Sequence, residues 1–321
     1  MTFTDLTDLA SRALGGGVVA ANDEFFAAMD NLVNPEPSQF ETWTYGPKGK
    51  VYDGWETRRR RTPGHDWAVV RLGAPGVIRG VVIDTAHFTG NYPPYVSVDA
   101  CELPGHPSPA ELADSPWTEL IPRSPVKGDT RNHFPVTAPA RYTHVRLNIY
   151  PDGGVARLRV HGTVIPDPAL LHGLTVDLAA MELGAVIAGC SNMFYGSPGN
   201  LLLPDRPRQM SEGWETARRR EDGNEWALVH LAAPGRIRLA ELDTTHFKGN
   251  APGEASLRAT PDPSDDSAWF DLLPRTRLQP DTRHRFRLDS PHEATHVRLD
   301  IYPDGGMARL RLWGETTPTS P

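Results

Sequence analysis

The segment Asp53-Gly54-Trp55-Glu56 sets two carboxylates on either side of a Gly-Trp pair, and four arginines, Arg58 to Arg61, follow it closely. If both acids reach one cleft, proximity drives their pKa values apart, so that one serves as general acid and the other as base. The same spacing also suits a structural turn, with Asp53 capping the backbone, Trp55 in the core and Glu56 paired to an arginine. A strand turns alternate side chains to opposite faces, so only two of the four arginines can share one side. One arginine of Arg58 to Arg61 is expected to fork onto a small carboxylate, with Arg58 and Arg60, which share a side, as the candidates. An ion pair to Asp66 or Glu56 is the competing use.

Two further segments carry titratable groups. Gly64-His65-Asp66-Trp67 and Asp84-Thr85-Ala86-His87-Phe88-Thr89-Gly90-Asn91 contain the two histidines best placed to move protons near neutral pH. Asn91 falls at a loop tip. His65, Asp66 and His87 could also hold a divalent metal. No His-x-x-x-His spacing supports that, so no metal and no cofactor is expected. Tyr150-Pro151-Asp152-Gly153-Gly154 is strong turn chemistry. It also puts Tyr150 and Asp152 at a loop end, where β-sandwiches usually hold ligands.

These segments return later in the chain. Gly54-Trp55-Glu56-Thr57 recurs as Gly213-Trp214-Glu215-Thr216, 159 positions on, and the Asp84 to Asn91 block recurs at the same offset as Asp243 to Asn250. Thr143 to Arg159 returns as Thr295 to Arg311 at an offset of 152. The seven lost positions fall in one loop, Glu102 to Asp114 against Pro261 to Asp266. A repeat this long is a duplicated domain, and the boundaries expected are 1–165 and 166–321, with Pro166-Asp167-Pro168 stiffening the join. The N-terminal parts match weakly, Val18-Val19-Ala20 aligning with Val186-Ile187-Ala188. The second copy supplies the equivalents Glu212, Glu215, His246, Asn250 and Asp304. It replaces His65-Asp66 with Asn224-Glu225, which marks the first copy as the fuller site.

The elements that must position these residues are short strands. Val145, Leu147 and Ile149 alternate with His144, Arg146 and Asn148. After the Pro151 to Gly154 turn, Ala156, Leu158 and Val160 resume the period of two, as in a hairpin with one buried face. Trp67 to Leu72, Val77 to Thr85 and Tyr95 to Cys101 are further strands, the first two separated by Gly73-Ala74-Pro75-Gly76. Helix is expected only as a turn or two in Leu6 to Leu14 and after Pro168. The fold expected is all-β, a tandem pair of jelly-roll sandwiches.

A net charge of −7 over 321 residues gives no broad field for nucleic acid, and the arginine run has no interleaved aromatic platform. The two cysteines, Cys101 and Cys190, make a disulfide framework unexpected. No stretch reads as a membrane span or secretory signal, so a cytoplasmic protein is expected. Edge strands and polar rows such as Arg146, Arg157 and Arg159 are expected to face outward and to be covered by homo-oligomer formation.

Ala21 to Phe26, Asp53 to Arg60, Pro63 to Trp67 and Asp84 to Pro93 together resemble the signature blocks of the allantoicase family, from about Asp5 to Gly314 and in both halves. The second half departs from the pattern at Glu212, Asn224-Glu225 and Ala251. The resemblance implies a galactose-binding-like jelly roll in each half, a homo-oligomer, and hydrolysis of allantoate to ureidoglycolate and urea. On that chemistry an arginine takes the substrate carboxylate, Asp53 or Glu56 accepts ureido N–H groups, and His65 or His87 moves the proton. A tandem carbohydrate-binding module is the rival reading, because jelly rolls often only bind.

Overall fold

The computed structural model describes residues 2–171 and 173–317. The chain separates into two compact units, Met1–Ile165 and Pro166–Pro321. Each is an antiparallel β-sandwich of jelly-roll type. In the first, the strands are β1 (Thr7–Asp8), β2 (Gly17–Ala21), β3 (Tyr45–Gly46), β4 (Gly49–Lys50), β5 (Trp55–Glu56), β6 (Asp66–Asp84), β7 (Tyr95–Cys101), β8 (Thr118–Pro125), β9 (Arg131–Pro135), β10 (Arg141–Tyr150), β11 (Gly154–Val155) and β12 (Arg157–Val164). Among the described residues the main order is β1-β12-β6-β10-β7-β8, with β2 and β9 also paired to β6.

The second unit repeats that order with β13 (Thr175–Asp177), β14 (Val186–Cys190), β15 (Trp214–Glu215), β16 (Glu225–Asp243), β17 (Glu254–Thr260), β18 (Phe270–Arg277), β19 (Arg283–Arg287), β20 (Ala294–Tyr302), β21 (Gly306–Met307) and β22 (Arg309–Thr316). Among the described residues helix is confined to α1 (Pro109–Ala113) and short 3-10 turns, among them Arg12–Leu14 and Pro168–Leu170. No helix among the described residues is long and apolar enough to cross a membrane.

Strand β6 runs through both layers. Its first half lies between β2 and β10, and its second half between β12 and β9. The Gly73-Ala74-Pro75-Gly76 segment, which reads as a separator in sequence, is instead continuous extended backbone. The β10 ladder jumps there from Gly76 to Arg71, so Pro75, with no N–H to give, sits outside the ladder. The weak N-terminal alignment shifts by one. Val18 pairs with Val70 and Ile187 pairs with Val229, its repeat equivalent, so Val18 matches Ile187 rather than Val186.

Strand β10 is buried on both faces, not one. Val145, Leu147 and Ile149 fill the core, while His144 and Asn148 on the other side are also buried. The loop that is longer in the first copy covers them: α1 contributes Leu112, and Trp117 packs beside it with Arg146 over its ring. The arginines expected to face outward do not. Arg157 is 2% exposed and donates to the Glu36, Asp53 and Ala156 carbonyls. Arg159 bonds Asp8 and the Pro35 carbonyl, and Arg146 pairs with Asp99. Each finds an acceptor beside the strand, so alternation alone misplaces it.

Candidate functional site

Trp55 fixes the first half of the site. Its side chain is fully buried and its indole N–H donates to the Asp23 carbonyl at 2.8 Å. Burying Trp55 on the short strand β5 turns its neighbour Glu56 the other way, toward the loop end. There β5 pairs with β11 and with an isolated bridge at Ala27. The second half is the Tyr150 to Gly154 turn, which carries a cis Tyr150–Pro151 bond. Gly153 lies at φ 141°, and a Cβ there would meet the Asn91 carbonyl at 2.8 Å. Only glycine fits that close approach. The Gly154 N–H donates to the same carbonyl at 2.7 Å, which locks the Asn91 loop onto the turn.

Together these loops form a cup of about 370 Å³, lined by Phe26, Glu56, Thr57, Arg59, Arg60, Asn91, Tyr92, Asp152 and neighbouring backbone. The Glu56 carboxylate accepts from the Asn91 amide at 2.6 Å. Burial raises the Glu56 carboxyl above its ordinary range, and the Asn91 hydrogen bond offsets part of that. Asp152 accepts the Arg60 backbone N–H at 2.8 Å, leaving its other oxygen for the cup. Such a set, with a carboxyl held above its usual pKa, an amide, a second carboxylate and cations, suits a small polar ligand with N–H and carboxylate groups.

The arginine run is not a strand beyond Glu56, so alternation does not sort it. Arg58 is bound to Asp23 through its Nε at 2.7 Å. Arg60 reaches down to Asp66 at 2.6 Å; that carboxylate also accepts from Asn22 and is only 2% exposed as a residue. Both arginines expected to grip a ligand are therefore held by carboxylates of the chain. Arg59, which alternation sets on the opposite side, lines the cup and has no carboxylate partner among the described residues.

The structure brings Glu56, Arg60, Asn91 and Asp152 together and sets others apart from the cup lining. Asp53 accepts from buried Arg157 at 2.7 Å and from the Gln39 amide at 2.9 Å. His87 adopts φ 70°, gives its backbone N–H to Asp129, and its Nε2 donates to the Ser38 carbonyl at 3.1 Å while its ring stacks on Phe40. It ties three loops together. His65 packs its ring against Tyr150 at 4.6 Å, and the Tyr150 hydroxyl meets Ser97 at 3.0 Å. Among the described residues no three His, Cys, Asp or Glu side chains gather as a metal site.

The second copy keeps much of this frame. Glu215 accepts from Asn250 at 2.6 Å, Asp304 accepts the Arg219 amide at 2.8 Å, and His246, at φ 72°, donates from Nε2 to the Pro207 carbonyl at 3.1 Å. Arg219 pairs with Glu225. Glu212, at the place of Asp53, instead takes Arg208.

The chain matches a family model described as "Allantoicase repeat" twice, at residues 7–165 and 176–317. It is 58% identical over 316 residues to a protein of Nocardia farcinica named "Probable allantoicase", covering 98% of this chain and 95% of that one. A Streptomyces coelicolor protein of the same name is 52% identical over 330 residues, covering 99% and 87%. Among solved structures, the allantoicase of Saccharomyces cerevisiae superposes with a TM-score of 0.83 at 36% identity, over 96% of this chain and 92% of that chain.

Proposed function

This chain belongs to the allantoicase family, and from that premise we propose that the cup of the first repeat is where its reaction takes place. The chain hydrolyses allantoate to ureidoglycolate and urea. Allantoate carries one carboxylate and two ureido groups on a single carbon. In the reaction one C–N bond breaks, a C–O bond to water forms, and a proton from the water ends on the leaving nitrogen.

The observation that carries the site is the Glu56 carboxyl, half-buried in the cup and bonded to Asn91. A carboxyl raised toward neutrality is suited to carry that proton, taking it from the incoming water and giving it to the departing ureido nitrogen. Arg59, with no carboxylate on it among the described residues, takes the substrate carboxylate. Asp152 accepts a ureido N–H, and the second Asn91 N–H meets a ureido oxygen. Asp53, Asp66, His65, His87, Arg58, Arg60 and Tyr150 act by holding the loops. The second repeat, with Glu212, Glu215, His246, Asn250 and Asp304, is the supporting copy. No cofactor is drawn on.

A coupled urea assay on the purified chain tests the reading. Urea is expected from allantoate and none above background from the ring compound allantoin; the reverse would overturn it. The rival carbohydrate-binding reading is not favoured by full-length relatives that are named as allantoicases. The chain is further read as a cytoplasmic homo-oligomer. Its two cysteines are unpaired. Met193, Phe194 and Tyr195 form an exposed apolar run, with Phe194 at 72%, that self-association would cover. Light scattering that shows only monomer at micromolar concentration would reject that assembly.

A further inference from the structure

The first copy contains an insertion that the repeat arithmetic exposes. Ala27 bridges to Glu56 and Gly196 bridges to Glu215. The first members of these pairs lie 169 positions apart and the second members 159, so the first copy carries ten extra residues just before Gly54. They fold into the β3–β4 hairpin, with Tyr45 opposite Lys50 and Gly46 opposite Gly49. The hairpin is anchored by aromatic stacking of Phe40 on Tyr52 and on His87, both at 5.4 Å, and by Lys50 over the Phe40 ring at 4.4 Å.

Its tip reaches the aromatic pair at the edge of the cup. Lys48 sits over the Phe25 ring at 4.8 Å, and Phe25 packs edge-on against Phe26, which lines the cup. Burial raises the hydroxyl of Tyr52, at the hairpin's base, and the neighbouring Glu56 and Tyr45 add to that. Among the described residues Lys48 pairs with no carboxylate, so its charge is available at the rim. Trp43 and Tyr45 beside it are 86% and 64% exposed, so the hairpin projects rather than packing into the core. In the second copy this ground belongs to Met210, whose sulfur accepts from Asn250 at 3.4 Å.

We propose that the inserted hairpin makes the first-repeat cup selective for ureides that bear a carboxylate, with Lys48 as the specificity-determining residue at its mouth. A cation held by an aromatic ring keeps its position without being neutralised. In a chain of net charge −7, Lys48 and Arg59 together make a local positive field that draws an anion to the rim and favours it once bound. Among the described residues the second copy has no such hairpin near Glu215 and Asn250, and so lacks this source of selectivity. The inference rests on the first-repeat cup being the reaction site.

The test compares Lys48→Gln, Lys48→Glu and Lys48→Arg by steady-state urea release from allantoate at low ionic strength. Inhibition of the same variants by diureidomethane is measured alongside, since it carries the two ureido groups and no charge. Lys48→Gln is expected to raise KM for allantoate about threefold to fivefold, the scale of an exposed charge contact. Lys48→Glu should raise it further and Lys48→Arg should restore it. kcat and the diureidomethane inhibition constant should stay at the parent values. The KM difference should vanish in about 1 M salt, where screening acts over a few ångströms. A merely structural hairpin would shift both ligands alike, at any salt, and that result overturns the proposal. So does a KM unchanged in both Lys48→Gln and Lys48→Glu. If Glu56→Gln also keeps full turnover, the cup itself is the wrong site; if Glu56→Gln is inactive while the Lys48 variants are normal, only the role of the hairpin fails.

Discussion

Glu56 with Asn91 in the first copy and Glu215 with Asn250 in the second stand at the same 2.6 Å, on equivalent strand ends. The ground beneath both is the same. Phe88 and Phe247 fill the space where a side chain on Gly154 or Gly306 would be, and the preceding glycines, Gly153 at φ 141° and Gly305 at φ 132°, let the turn meet the asparagine loop. What differs is the rim. Tyr92 lines the first cup, and its ring lies where a Cβ on Gly128 would be; the second copy has Ala251 and Pro280 at these two places. The first copy adds the hairpin, Arg58 and His65. The second has a methionine on its asparagine. Beneath the cup, the buried Arg60 Nε has no acceptor among the described residues, while the Arg219 Nε donates to the Asp222 carbonyl. A duplicated fold must keep its frame in order to fold, and buried residues common to the two copies, such as Trp55 with Trp214 and Arg157 with Arg309, are that frame. The Glu–Asn pair is common to both copies as well, so the residues that differ at the rim are what tell the two apart.

The largest effect expected tests the shared frame. Arg157→Ala and Arg309→Ala each remove a buried guanidinium that satisfies several backbone carbonyls. Each should cost about 3 kcal/mol or more in denaturant unfolding, the scale for leaving buried polar groups unpaired. Loss in one copy only would break the claim that the frames are equivalent. Next in size, Arg59→Gln should raise KM for allantoate about tenfold or more, for loss of a charge-assisted contact. The equivalent Arg218→Gln should stay within about twofold; equal effects would make both cups substrate sites.

The smallest effect concerns stability. Burial raises the Glu56 carboxyl in the folded chain, so the folded state holds that proton more tightly than the unfolded one. The corresponding contribution is fully present below the unfolded value and is lost as pH rises through the raised folded value. Glu56→Gln, uncharged throughout, should therefore match the parent in acid and exceed it at neutral pH. The gain should be less than about 1 kcal/mol, because the group is only half-buried. A variant less stable than the parent at neutral pH would contradict the assigned cause.

Much of this was legible in the residues alone. The duplication, the antiparallel sandwiches, and Glu56, Asn91 and Asp152 as members of loop-end motifs follow from exact repeats and turn chemistry. The rest was hidden for physical reasons. Arg157 occupies an alternating position that reads as outward, yet a neighbouring loop supplies the carbonyls that let it be buried. A period of two sets Arg59 on the side opposite Arg58 and Arg60, but this stretch is not a strand, so the period does not decide which arginine of the run lines the cup. His87 carries a proton donor that sequence reads as catalytic, whereas its ring nitrogen is spent on the Ser38 carbonyl. The hairpin left one trace, the change of repeat offset from 169 to 159, and even the weak N-terminal alignment of Val18 with Val186, one residue off, carries nine of those ten positions.

The most direct measurement is a matched pair of turnover numbers. Glu56→Gln and Glu215→Gln change the same atom type, each bonded to an asparagine at the same distance. With both variants folded by circular dichroism, urea release from allantoate should fall about a hundredfold or more in kcat for Glu56→Gln, the usual scale for losing an acid–base group. Glu215→Gln should remain within a few-fold of the parent. A Glu56→Gln enzyme that keeps its kcat, beside a Glu215→Gln enzyme that loses it, would move the chemistry to the second copy and contradict the account.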